Sequence, residues 1–181
     1  MTEAKPKPAI AEKQIYKTII NAPVEIVWNT LVKTDEVLPF FFGCVCQTES
    51  GLKAGRPMRM ATPDGKFVNV VGEVLEFAPP YRYSHTMRFT TLADDPPSTV
   101  TYILKEVPDG TEFSLITENV PAGSKTEKYM AQGGGFIIEN LKRLVETGKP
   151  AFSGYMVRLV NVLSAPFTPK IARAENWPLR T

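Results

Sequence analysis

The chain has 181 residues, 43% of them hydrophobic and 22% charged, and 21 Lys+Arg against 19 Asp+Glu leave a net charge of +2. One globular domain is expected at this length, and a charge so close to balance excludes a protein that tracks phosphates, so no nucleic-acid partner is expected. No apolar run approaches the ~18 residues that cross a bilayer, so no stable membrane insertion is expected either.

Residues 1–14 are polar around Lys5-Pro6-Lys7-Pro8 and read as a flexible arm, not as a signal or transit peptide. Ile15 to Asn21 is β-branched and aromatic, which predicts a first strand. Asn21-Ala22-Pro23-Val24-Glu25 predicts a helix start capped by Asn21 or Ala22, with Val24, Val27, Trp28 and Leu31 on one apolar stripe. Thr34-Asp35-Glu36 opens a second short helical turn that carries Val37, Leu38, Phe40, Phe41 and Phe42 and closes at Gly43.

From 44 to 119 the sequence reads as strands at 44–50, 56–62, 66–77, 81–90, 98–107 and 111–119. Pro63-Asp64-Gly65 and Pro108-Asp109-Gly110 are hairpin turns, and Pro79-Pro80 and 94–97 are breaks. Alternation is clearest at 81–89, where Tyr81, Tyr83, His85, Met87 and Phe89 share a face. Val100, Tyr102 and Leu104 share a face on the next strand, and Phe113 and Leu115 on the last. An antiparallel meander with one buried face follows.

Ser124 to Gly148 supplies a covering helix with Met130, Ile137, Ile138, Leu141, Leu144 and Val145 at helical spacing. Inside it, Gly133-Gly134-Gly135 marks one of two things. Either the helix kinks or starts late there, or its backbone comes close to the sheet or a ligand. Residues 150–181 are an extension, with an amphipathic helix expected at 151–164 on Phe152, Tyr155, Met156, Leu159, Val160 and Leu163. That helix either folds back on the domain or pairs with a second copy in a homodimer. Its one charge, Arg158, makes a poor membrane-surface helix.

Four groups of residues carry a family resemblance. Asn21-Ala22-Pro23 with Glu25 and Trp28 resembles "AP.E.VW..L". Gly72-Glu73-Val74-Leu75-Glu76 with Pro79-Pro80 resembles "GEVLE..PP". Pro97-Ser98-Thr99-Val100-Thr101 with Leu104, Glu106 and Asp109-Gly110-Thr111 is similar to "PS.VT..L.E..DGT". Gly135-Phe136 with Leu141-Lys142 and Glu146-Thr147-Gly148 is similar to "GW…LK..LETG". The pattern, spread over 15–149, resembles the activator of heat-shock-protein-90 ATPase homologue-like family of the START and birch-pollen-allergen superfamily, SRPBCC. Phe136 stands where that family usually has Trp, and 150–181 lies beyond the family domain.

The resemblance implies an α+β helix-grip fold. Its antiparallel sheet of about seven strands wraps around a long C-terminal helix, and two short helices follow the first strand. It also implies a cavity between sheet and helix of the kind that holds small hydrophobic molecules, and it implies no single activity.

Residues expected to face that space are Met58, Met60, His85, Met87, Tyr102, Phe113 and Phe136, with Trp28 and Phe41 near one end. They form either a ligand-binding wall or simply a packed core. His85 is the only histidine, so a site of several imidazoles cannot be built, and Cys44-x-Cys46 has poor zinc spacing. No metal or cofactor is expected, and two buried reduced thiols fit a cytoplasmic protein.

If the protein were an enzyme, His85 with Tyr102 could serve as general base and partner in a cyclase or dehydratase reaction. The other reading is a hydrogen-bonded core histidine. Three functions are therefore carried forward. The preferred one is a non-catalytic domain that binds a small apolar or amphipathic ligand. The others are the His85/Tyr102 enzyme and a chaperone-associated or homodimeric interaction module.

Overall fold

A computed structural model describes residues 8–151, 153–154 and 168–179. The helix expected at 151–164 lies outside the described residues except for Ala151, Ser153 and Gly154.

The chain runs β1 (Gln14–Ile20), α1 (Val24–Leu31), β2 (Val37–Leu38), β3 (Cys44–Gln47), β4 (Pro57–Ala61), β5 (Val68–Ala78), β6 (Arg82–Phe89), β7 (Ser98–Val107), β8 (Gly110–Glu118) and α2 (Lys125–Thr147). All eight strands form one antiparallel sheet in the order β1-β8-β7-β6-β5-β4-β3-β2, curled into a half-barrel around α2. The helix-grip expectation holds, with eight strands where about seven were expected.

The added strand replaces the second short helix. Leu38 pairs with Cys44 as β2, and Pro39–Phe41 makes a single 3-10 turn. Proline at its first position has no N–H to give, and Phe42 at φ 55° stops the turn in the left-handed region. One short helix therefore follows β1. Its cap position is Pro23 and not Asn21 or Ala22, and no side chain caps it; Glu25 sits in its first turn, at the positive end of the dipole.

α2 runs unbroken through its three glycines. Ser124 Oγ accepts the Glu127 N–H at 3.1 Å, the Gly123 N–H donates to Glu127 at 2.6 Å, and Gly148 closes the helix at φ 72°. The helix therefore does not start late at 133–135. Gly134 is required by contact instead, because a Cβ there would lie 2.3 Å from the Tyr16 ring of β1. Around this crossing Ile20, Phe113, Leu115 and Leu141 are almost fully buried, each worth about 1.5–3 kcal/mol to the folded state.

Alternation on β6 places Tyr83, His85 and Met87 inside. Tyr81 departs from the expectation: it precedes the strand, is 49% exposed, and donates its hydroxyl to Glu106 at 3.1 Å. The alternating pattern continues past the point where anything covers it.

Residues 168–179 return across the outer side of the sheet. Arg59 Nη1 donates to the Trp177 carbonyl at 2.6 Å while its Nε donates to Gln47 at 2.8 Å, and Arg88 stacks over the Trp177 ring at 5.8 Å. Arg59→Ala should therefore lower stability by about 1–2 kcal/mol in urea unfolding. An unchanged midpoint would mean the returning segment contributes nothing. Among the described residues no helix is long and apolar enough to cross a membrane.

Candidate functional site

Between α2 and the inner sheet lies a cavity of about 520 Å³, within the ~300–1,000 Å³ range of small-molecule sites. Its floor comes from β5 to β8, through Val70, Met87, Val100, Tyr102, Leu115 and Thr117. The roof is one face of α2, where Met130, Gly133, Gly134 and Ile137 follow helical spacing. At the middle of the roof Gly133 presents no side chain to the space. Gly133 lies beside Phe42, and a Cβ there would meet that ring at 3.6 Å, an ordinary contact.

The mouth is framed by Phe42, Asn69, Phe89, Thr91, Tyr129 and Gln132, of which Thr91, Tyr129 and Gln132 are exposed. Phe42 stacks on Phe136, with ring centroids 4.3 Å apart and planes 9° from parallel. A bulky residue in the left-handed region is strained, and the strain sits here at the cavity wall. Phe89 and Tyr129 meet edge to face at 5.7 Å on the other side.

The nine expected site residues separate into three groups. Phe41, Met87, Tyr102 and Phe136 line the cavity. Met58, Met60 and His85 lie deeper, around a separate void of about 20 Å³ that also touches Phe41 and Tyr102. Trp28 and Phe113 line neither; Trp28 packs on Phe77 at 5.3 Å, and Phe113 stacks on Tyr102 at 6.1 Å.

Cavity residues outside the nine expected ones include Phe42, Val70, Leu115, Thr117 and Met130. Met130, Gly133 and Ile137 repeat at i, i+3 and i+7, a signal that was present, and Leu115 was already placed on the inner face. For Phe42 no signal existed, because its position depends on a positive φ.

His85 is 1% exposed, and its Nδ1 lies 2.8 Å from the Thr86 carbonyl oxygen. A carbonyl only accepts, so Nδ1 carries a proton toward it. Burial pulls the imidazole down to about 4, against the smaller upward pull of that hydrogen bond. Tyr83 and Tyr102 stack at 5.1 and 5.8 Å from it, and burial first, then the nearby Cys46, raises both phenols.

The thiols are likewise silent. Burial pushes Cys44 up to about 11 and Cys46 to about 12, and Asn69 donates to Cys44 Sγ at 3.3 Å. No group of three or more His, Cys, Asp or Glu that could hold a metal occurs among the described residues.

Comparison with known proteins places this arrangement. The family model described as Activator of Hsp90 ATPase homolog 1-like protein matches residues 21–146. No curated protein matches the chain.

Solved structures share the fold at low identity. Protein CV1439 from Chromobacterium violaceum is 22% identical, with 74% of this chain and 96% of that one covered and a TM-score of 0.56. CalU16 from Micromonospora echinospora is 20% identical, with 84% and 86% covered and a TM-score of 0.55. DynU16, from a dynemicin biosynthetic locus, is 22% identical with a TM-score of 0.61; the alignment covers 77% of this chain and 49% of that one.

Proposed function

The chain belongs to the Activator of Hsp90 ATPase homolog 1-like family of the SRPBCC superfamily, and on that premise we propose that it is a binding protein that encloses a small apolar or amphipathic ligand between sheet and α2. One observation carries the reading: a cavity of about 520 Å³ with an apolar interior remains open in a domain whose other inner residues are close-packed. Met87, Met130 and the aromatic rim give walls that adapt to a guest.

The His85/Tyr102 enzyme is less well supported. A general base must reach the proton it removes, and His85 does not line the cavity; its imidazole lies on the void beside Tyr102. The interaction module built on 151–164 concerns residues outside those described.

Native mass spectrometry of the purified chain, before and after denaturing extraction, tests the binding reading. A small molecule should be released on denaturation, and Met87→Trp, which puts an indole into the floor, should abolish its uptake while cooperative unfolding is retained. A folded Met87→Trp chain with undiminished uptake would remove the cavity as the site.

A further inference from the structure

Resting on the cavity reading above, we propose that the site selects uncharged ligands and rejects ionised ones, because among the described residues its lining offers no counter-ion. Among the described residues, none that lines the cavity is Asp, Glu, Lys, Arg or His. The polar atoms it does present are neutral: hydroxyls of Thr91, Thr117, Tyr102 and Tyr129, and the amides of Asn69 and Gln132. The Cys44 thiol on the wall stays protonated near neutral pH.

Three charged residues near the wall in sequence have partners away from it. Arg88 sits between two lining residues, Met87 and Phe89, yet strand alternation directs it to the outer face, where it lies over Trp177. Asp95 accepts from the Thr126 hydroxyl at 2.7 Å. Lys142, on the far half of α2, is paired with Glu146 at 2.8 Å.

An ionised carboxylate, sulfonate or ammonium entering this space would lose its hydration and gain no partner. A hydroxyl, a carbonyl or a neutral amine would exchange water for one of these hydroxyl or amide groups at little net loss. The site is therefore matched to neutral molecules with an apolar body and one or two uncharged polar groups.

A matched pair of probes reads this directly. N-phenyl-1-naphthylamine and 8-anilino-1-naphthalenesulfonate share a skeleton and differ in one sulfonate, placed mid-molecule where it cannot stay in water while the rings are buried. Fluorescence titration of the full chain should show the neutral probe binding about tenfold or more tightly than the sulfonate. Gln132→Arg adds a cation on the exposed rim of α2. It should shift the ratio of sulfonate to neutral-probe affinity about fivefold toward the sulfonate.

Equal affinities for the two probes in the unaltered chain would overturn the charge selectivity and leave the cavity reading intact. An affinity ratio indifferent to Gln132→Arg would overturn the role given to the rim. Failure of both probes to bind would overturn the cavity reading itself, and this inference with it.

Discussion

Gly134→Ala will destabilise the domain, while the same change one residue later, at Gly135, will stabilise it. Removing a glycine from a helix interior contributes about 1 kcal/mol in either case. At Gly135 nothing lies within 4 Å of the new methyl group, so that gain stands alone. At Gly134 the methyl would sit 2.3–2.6 Å from three carbons of the Tyr16 ring.

Tyr16 cannot yield freely, since its hydroxyl is held by Gln14 at 2.8 Å and by the Ala131 carbonyl at 3.1 Å. Overpacking of this kind costs about 1–3 kcal/mol, with a hydrogen bond lost besides, which exceeds the helix gain. Gly133→Ala falls with Gly135, because its methyl would meet Phe42 at 3.6 Å, an ordinary contact. Urea unfolding of the three alanine variants should give one midpoint below the parent and two above. Three equal midpoints would refute the close approach of α2 to β1.

The second large effect is in pH. His85 titrates near 4 in the folded chain against an ordinary value of 6.5. Between those values the unfolded chain binds a proton that the folded chain refuses, so stability rises with pH across that interval. Its contribution is complete above about pH 6.5 and is lost as pH falls toward 4, about 3 kcal/mol in all and about 2 kcal/mol of it between pH 7 and pH 5.

Glu146 and Asp64 are held below their ordinary values of 4.5 and 3.8, chiefly by hydrogen bonds from Asn21 and Thr62. They add losses only at lower pH, which leaves the pH 7 to 5 interval to His85. Unfolding free energies at pH 7 and 5 should differ by about 2 kcal/mol in the parent and by much less in His85→Gln. A parent with flat stability between those pH values would mean that His85 is not neutral and enclosed.

Periodicity gave the faces of the strands correctly. His85, Met87, Tyr102 and Phe113 all point inward, as alternation requires. It could not give depth. Whether an inward residue touches a cavity or a packed core depends on what stands opposite, and here that is the face of α2 with Met130, Gly133 and Ile137, an element more than thirty residues away in sequence from β6. Hence Met87 and Tyr102 line the cavity while His85, on the same face of the same strand as Met87, faces only the small void. The second short helix failed for a local reason. Leu38-Pro39-Phe40-Phe41-Phe42 has the apolar content of a helix, but the pairing of Leu38 with Cys44 and the positive φ of Phe42 leave room for one turn only.

A half-barrel that never closes also leaves two strand edges able to recruit further strands, the usual route to sheet-to-sheet aggregation. At one edge, β2 offers only two residues. The other, β1, is long and shows Ile15 and Ile19 to solvent, but Lys13 and Lys17 alternate with them along the strand, each paired to a glutamate of β8. Its far end is occupied as well, since Lys142 of α2 donates to the Ile19 carbonyl and Glu146 accepts the Asn21 N–H at 2.8 Å. The helix that roofs the cavity thus also stops the sheet from growing.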